Sequence, residues 1–157
     1  MPNETPRPYP HASLTQAILA AAFRVQDALG PGLLEKPYRL CLAHALRRAG
    51  HRVTLEASLD LAYEGLLVPG AYRLDLLVDD TVVVETKAVE TLDHMHQAQL
   101  LTYLRLAGKE IGLLLNFWAR PLKDGGIQRV VLTGQGTPPP YHHRSDVEPA
   151  LHKSEPQ

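Results

Sequence analysis

The sequence predicts an α/β (α+β) fold in which a central mixed β-sheet is flanked by helices, with the element order ααβββαββ. Three segments repeat apolar residues at helical spacing, and five others alternate or run apolar over the short lengths of strands. The third helical segment stands between strands, so the chain must cross over and part of the sheet is parallel. With 157 residues, of which 45% are apolar, the chain suffices for one domain with a buried core.

Two helices are predicted before the sheet. The first covers residues 14–29, with Ser13 as its N-cap and Gly30 at its end. The second covers residues 35–49 and begins at Glu35. Because the positive end of a helix dipole favours any carboxylate, the spacing alone favours a role for Glu35 in the helix itself.

A long strand and a hairpin follow the helices. Residues 53–63 alternate between apolar and polar side chains, which predicts a half-buried strand with Glu56 and Asp60 on its polar face. The second strand develops from about residue 71. A polar break at residues 79–81 then turns the chain into the third strand.

Three ionisable residues, Asp75, Glu85 and Lys87, lie inside the apolar runs of this hairpin. Burial of a charge is costly unless the charge is paired or holds a metal. Glu85 and Lys87 are two residues apart and share one face of their strand. Asp75 meets Glu85 only if the loop is odd, so we predict a three-residue loop over residues 79–81. Two carboxylates and a lysine on that face predict a divalent-metal site beside a cation.

A third helix is predicted over residues 94–107. Along it, spacings of three and four place His96, Gln99 and Tyr103 on one face. Periodicity by itself favours a simple solvated face for these three residues.

Two further strands complete the predicted sheet. Residues 110–117 are almost wholly apolar, which indicates an interior strand, and residues 127–132 form the last strand. We expect a single folded domain over residues 13–133. A flexible Pro-rich arm, residues 1–12, precedes it, and a disordered tail, residues 134–157, follows it.

The composition excludes several classes of protein. The single Cys41 excludes an intramolecular disulfide and a Cys-rich zinc site. No apolar segment is long enough to span a membrane and none resembles a signal peptide, so a cytoplasmic protein is expected. The net charge of −1 argues against an avid, non-specific nucleic-acid binder.

Five short blocks, in order, resemble a known protein family. They are Gly32-Leu-Leu-Glu35-Lys-Pro-Tyr38, Arg73-Leu-Asp75, Val84-Glu85-Thr-Lys87-Ala88-Val89, His96-Gln-Ala-Gln99-Leu-Leu-Thr-Tyr103 and Gly112-Leu-Leu-Leu-Asn116-Phe117. The first block matches the pattern that names the GxxExxY protein family, and the match covers about residues 14–132. That family resembles the PD-(D/E)XK nuclease superfamily, which implies a restriction-endonuclease-like core.

The resemblance also implies a metal site. By position in the motifs, Asp75 and Glu85 would bind Mg²⁺ or Mn²⁺, and Glu35 would complete the acidic cluster directly or through water. The backbone carbonyl of Thr86 lies between two site side chains and is a plausible further ligand. Lys87 would orient or activate the attacking water, or stabilise charge that develops on the phosphate.

The remaining motif residues are expected to bind substrate. Gln99 and Tyr103 match a Gln-x-x-x-Tyr element that some superfamily members carry near the active site and the nucleic acid. His96 on the same helix face, and Arg73 in the Arg-Leu-Asp block, are the other expected substrate contacts.

Three hypotheses follow from the sequence. The leading one is a metal-dependent nuclease whose partner is nucleic acid, DNA before RNA. Its oligomeric state is open, and a homodimer is one form in which a small domain often handles a duplex. The second is a catalytically silent nuclease-fold module that binds nucleic acid or a protein. The third is a structural dimer module in which the buried acids and the lysine form an ion-pair network, which is disfavoured because such pairs seldom repay their desolvation.

Overall fold

A computed structural model describes residues 9–133 and confirms the predicted fold class and element order. The helices and strands, in chain order, are α1 (Ala12–Leu29), α2 (Glu35–Arg48), β1 (Val53–Tyr63), β2 (Leu66–Val78), β3 (Val82–Lys87), α3 (His94–Ala107), β4 (Ile111–Asn116) and β5 (Ile127–Val131). Most of the predicted N-terminal arm, residues 1–8, and the whole predicted C-terminal tail lie outside the described residues.

The five strands form one mixed sheet in the order β1-β2-β3-β4-β5. Neighbouring strands are antiparallel except β3 and β4, which are parallel and are joined through α3. The crossover predicted from a helix between strands is therefore confirmed. Strand β4 lies inside the sheet, and all six of its residues are buried.

The helices cover the two faces of the sheet. Helices α1 and α2 pack against one face, where their apolar side chains share a core with alternate residues of β2, β3 and β4. Helix α3 packs against the other face with a separate core. The site is built on the hairpin that β2 and β3 form between the two helical layers.

The start of α1 differs from the prediction. The helix begins at Ala12, and His11 rather than Ser13 is its N-cap, without a side-chain hydrogen bond. The reason is that the carbonyl of His11 already accepts from Thr15, through the backbone N–H at 3.0 Å and the hydroxyl at 3.1 Å. The end of α1 at Gly30 is as predicted.

The first two strands are less regular than simple alternation predicts. Leu55 packs in the α1/α2 core, whereas Ala57 packs in the α3 core, although the two residues are only two positions apart. Between them Glu56 adopts a left-handed conformation with φ +51°. The prediction that Asp60 lies on a polar face is wrong, because Asp60 is buried and accepts a hydrogen bond from the N–H of Gly70 at 2.7 Å.

Candidate active site

The β2–β3 hairpin has the predicted odd register. Val78 pairs with Val82 and Leu76 with Val84, which leaves residues 79–81 as a three-residue loop. Asp79 and Asp80 both have left-handed backbone conformations, with φ of +50° and +52°. Aspartate tolerates this conformation better than most residues, which explains why this sequence can form the loop.

The paired backbone residues of the hairpin end at Leu76 and Val84. Beyond this pair, two carboxylates accept hydrogen bonds from backbone N–H groups of the opposite strand. The N–H of Asp75 donates to Oε1 of Glu85 at 2.9 Å, and the N–H of Thr86 donates to Oδ2 of Asp75 at 2.8 Å. The hydroxyl of Thr86 donates to the same Oδ2 at 2.9 Å. Buried N–H groups need acceptors, so each acid satisfies a backbone group of the other strand. This reciprocal pair fixes Asp75 beside Glu85.

Burial makes this pair electrostatically unusual. Glu85 is only 3% exposed as a whole residue. Burial and, after it, the neighbouring charge of Asp75 together raise the pKa of Glu85 to about 8, against the opposing effects of the Asp75 N–H, Lys87 and Arg39. A buried acid beside a second acid is the environment in which a bound cation is most stabilising.

Helix α3 brings two predicted residues to Lys87. The Nζ of Lys87 donates to Oε1 of Gln99 at 3.2 Å, and Nε2 of Gln99 donates to the Tyr103 hydroxyl at 2.9 Å. Burial, followed by the negative charge of Glu85, raises the pKa of Tyr103. The polar face predicted on this helix therefore meets the end of β3 through Gln99, which is itself exposed to solvent.

Two predicted site residues are placed elsewhere. Glu35 is exposed at the start of α2, and residues 9–133 contain no group of three or more His, Cys, Asp or Glu side chains placed to hold a metal. The expected direct acidic cluster with Glu35 is therefore not formed. His96 instead completes a capping box, in which its Nδ1 accepts from the N–H of Asp93 at 3.1 Å.

Arg73 occupies an exposed position two residues before Asp75. It pairs in register with Ser58 of β1, and no ion pair of Arg73 occurs within the described part of the chain. Arg73 is therefore exposed to solvent, and its contact with substrate stays a prediction.

The structure adds two residues that the sequence analysis missed. Arg39, on α2, donates from Nη1 to Oδ1 of Asp75 at 3.1 Å and from Nη2 to Oε1 of Glu56 at 3.2 Å. Glu56 lies opposite Asp75, because its neighbours Leu55 and Ala57 pair with residues on either side of Asp75. Knowledge of the β1–β2 register would have identified Glu56. No motif in the sequence signals Arg39.

Tyr38, the last residue of the Gly-x-x-Glu-x-x-Tyr block, has a packing role. Its ring stacks on Phe117, with centroids 4.6 Å apart and planes 6° from parallel. Its hydroxyl donates to the carbonyl of Gly30, at the end of α1. Tyr38 thereby fixes the start of α2, and with it Arg39, against the loop that follows β4.

Buried amide side chains anchor the loops beside the site. Gln26 donates to the carbonyls of Phe117 and Ala119, and its Oε1 accepts from the N–H of Leu122 at 2.8 Å. Asn116 exchanges two hydrogen bonds with the backbone of Val89, at 2.8 and 3.1 Å. These contacts hold the chain segments that follow β3 and β4.

The donor set of the pair suits a hard divalent cation. Carboxylate and carbonyl oxygens are the preferred ligands of Mg²⁺, which commonly uses only one or two protein carboxylates and keeps several waters. Asp75 and Glu85 supply two such carboxyl groups, and burial beside Asp75 raises the pKa of Glu85 to about 8, so a bound cation would favour its charged form. The residues present therefore fit such an ion.

Fold and site together define a class of protein. A mixed sheet in this order, with an Asp on one strand of a hairpin and Glu-x-Lys on the next, is the restriction-endonuclease-like arrangement. A family model described as the PD-(D/E)XK nuclease superfamily matches residues 12–130, so the chain belongs to that superfamily. No curated protein and no solved structure gives a match.

Within residues 9–133, none of the helices has the length and apolar character needed to cross a membrane.

Proposed function

We propose that this chain is a Mg²⁺- or Mn²⁺-dependent nuclease that hydrolyses phosphodiester bonds in DNA, with RNA as the second substrate class. The reciprocal pair of Asp75 and Glu85 beside Lys87 is the observation that carries the proposal. Membership of the superfamily supports the same type of reaction.

Asp75 and Glu85 are the proposed protein ligands, with the backbone carbonyl of Thr86 as a further one. A metal bound there supplies positive charge to the phosphate and makes water a better nucleophile. Thr86 holds Asp75 in position through two hydrogen bonds, so its side chain orients the ligand. Glu35 is not a direct ligand in this proposal because it forms no cluster with the pair, and a contact with the metal through water stays a prediction.

Lys87 supplies the charge that belongs to the protein itself. It shares the strand face of Glu85, and its ammonium is held by Gln99 on the outer side of the site. In that position it stabilises negative charge on the phosphate or positions a water molecule for attack. Gln99 and Tyr103 fix the ammonium, and together with Arg73 they are the proposed contacts to nucleic acid.

Two further features remain predictions. A homodimer is predicted because a small domain that handles a duplex often acts in pairs, and the mass of the protein in solution checks it. A cytoplasmic location is predicted from composition, and fractionation of the source cells checks it.

The test compares two aspartates of the same hairpin. Asp75→Asn removes a proposed metal ligand, and Asp79→Asn makes the same chemical change at the loop. We expect the unmodified protein and Asp79→Asn to cut labelled DNA with Mg²⁺ or Mn²⁺ and not with EDTA, while Asp75→Asn falls to background. Binding of DNA without cleavage under all conditions would favour the silent module. Equal cleavage by both variants would contradict the proposed site.

A further inference from the structure

Arg39 already occupies one oxygen of a proposed metal ligand. Its Nη1 lies 3.1 Å from Oδ1 of Asp75, and the side chains of the two residues are 13% and 17% exposed. A guanidinium and a divalent cation on one carboxylate repel each other, and this repulsion is weakly screened where water is largely excluded. Arg39 is therefore placed to oppose metal binding at Asp75.

A second acid lies within reach of the same guanidinium. Nη2 of Arg39 is 3.2 Å from Oε1 of Glu56, whose side chain is 50% exposed. Glu56 lies opposite Asp75 across the β1–β2 pairing and has an unusual left-handed backbone conformation. Its carboxylate can keep the guanidinium neutralised when the contact with Asp75 is lost.

The present position of Arg39 leaves one of its donors without a partner. Its Nε–H is buried and has no hydrogen-bond acceptor among the described residues. A buried donor without an acceptor is destabilising. Movement of the guanidinium away from Asp75 would therefore not break a fully satisfied set of hydrogen bonds.

We propose that Arg39 competes with the divalent cation for Asp75, and that Glu56 sets the strength of this competition by holding the displaced guanidinium. The two residues thus determine the metal concentration at which the site fills. This inference rests on the proposed metal site, and it extends that site to two positioning residues that lie outside the five sequence blocks.

The test measures Mn²⁺ binding by isothermal titration calorimetry, so that activity is not needed as a readout. Arg39→Gln removes the competing charge and is expected to tighten the Mn²⁺ dissociation constant by about tenfold. Arg39→Lys keeps a charge without the two-pronged geometry and is expected to fall between the unmodified protein and Arg39→Gln. If Arg39 only holds Asp75 in place, Arg39→Gln would weaken Mn²⁺ binding rather than tighten it, and the proposal would be wrong.

Arg48→Gln is the matched control. It removes the same charge from an exposed position on the same helix, nine residues farther along, which is about 13 Å of helical rise. At that distance a surface charge is largely screened at physiological ionic strength. Arg48→Gln should therefore leave Mn²⁺ affinity unchanged, and an effect equal to that of Arg39→Gln would overturn the proposal in favour of net charge.

Glu56 is tested through a double-mutant cycle. Glu56→Gln alone should weaken Mn²⁺ binding, because Arg39 then has only Asp75 as an anionic partner. In the Arg39→Gln background the same change should have no further effect. If Glu56→Gln weakens binding equally in both backgrounds, Glu56 is a metal ligand in its own right and the proposed role is wrong.

The outcomes separate this inference from the proposed function. An unchanged Mn²⁺ affinity in Arg39→Gln, together with lost binding in Asp75→Asn, would overturn the competition and keep the metal site. No Mn²⁺ binding by Arg39→Gln, in protein shown to be folded by circular dichroism, would overturn both. Tighter binding by Arg39→Gln that is abolished by adding Asp75→Asn would support both.

Discussion

The β2–β3 hairpin carries acids at both of its ends, and the two ends treat them in opposite ways. At the loop, Asp79 accepts from the N–H of Arg52 at 2.8 Å and contacts Nδ1 of His51 at 2.7 Å. Asp80 pairs with Lys109 at 3.0 Å. The hydrogen bond with His51 holds the pKa of Asp79 below its ordinary value.

At the open end the balance is reversed. Glu85 is buried beside Asp75, and burial raises its pKa to about 8. Lys87, the cation nearest in sequence, is bound to Gln99. The comparison teaches that acidic residues alone do not identify a functional site. The loop acids Asp79 and Asp80 are paired with His51 and Lys109 and serve the fold, whereas burial beside Asp75 disfavours the charged form of Glu85, which a bound cation would restore.

The largest expected difference between the two ends concerns their lysines. Lys87→Ala should lower the rate of metal-dependent cleavage by about 10²–10⁴-fold, because a positioned charge at the reacting phosphate is lost. Lys109→Ala removes the partner of Asp80 at the loop and should leave the rate unchanged. Single-turnover cleavage of labelled DNA measures both variants. Similar rates for the two would erase the distinction between the ends.

The second difference is in the pH dependence of stability. The pKa of Glu85 rises from 4.5 to about 8 on folding, so the folded state binds more protons between these values. The free energy of unfolding should therefore fall as pH increases from 4.5 to 8, by up to about 1.4 kcal/mol per pH unit. Urea unfolding across this range measures the slope, and Glu85→Gln should flatten it.

Asp79 gives the opposite sign at the loop end. Its pKa is lowered on folding, so its contribution is present above the unfolded value and is lost as pH falls through the folded value. Asp79→Asn should reduce stability at neutral pH by at most about 1 kcal/mol and leave the slope above pH 4.5 intact. If Asp79→Asn flattens the dependence of the free energy of unfolding on pH above 4.5, the effect does not come from Glu85 and the prediction is wrong.

The smallest expected effect concerns Tyr103. Tyr103→Phe removes the hydroxyl that accepts from Gln99, so Gln99 holds Lys87 less firmly. We expect kcat/KM to fall roughly fivefold, the equivalent of one hydrogen bond. Tyr72 packs against Tyr103, with ring centroids 5.8 Å apart. Tyr72→Phe is the control and should have no effect on kcat/KM. A larger loss in the control would indicate that ring packing matters rather than the hydroxyl.

Local pattern was sufficient to predict the order of the elements and the hairpin, although β2 begins at Leu66 rather than near residue 71. The odd loop follows from two apolar runs and the requirement that Asp75 meet Glu85, and the Leu76 to Val84 pairing confirms it. Helix α3 also begins and ends where its period predicts, because Asp93 caps its start and Gly108 ends it. These features depend on residues close together in the chain.

Features that depend on distant residues could not be predicted in this way. Arg39 reaches Asp75 only because α2 packs over the hairpin, and Glu56 reaches Arg39 only because β1 pairs with β2. Motif position placed Glu35 near the metal, but the three-dimensional arrangement leaves it exposed at the helix start. His96 shares its helix face with Gln99, but its Nδ1 accepts from the N–H of Asp93 at the start of the helix instead of reaching the site.

The measurement that tests the central claim most directly is the thermal stability of the unmodified protein, Asp75→Asn and Asp79→Asn as Mn²⁺ is added. A cation that binds only the folded state stabilises it by about 2.7 kcal/mol at 100 times its dissociation constant. We predict that the unmodified protein and Asp79→Asn gain this stability in parallel and that Asp75→Asn gains none. An equal gain in Asp75→Asn, or no gain in the unmodified protein, would contradict a metal site at the open end of the hairpin.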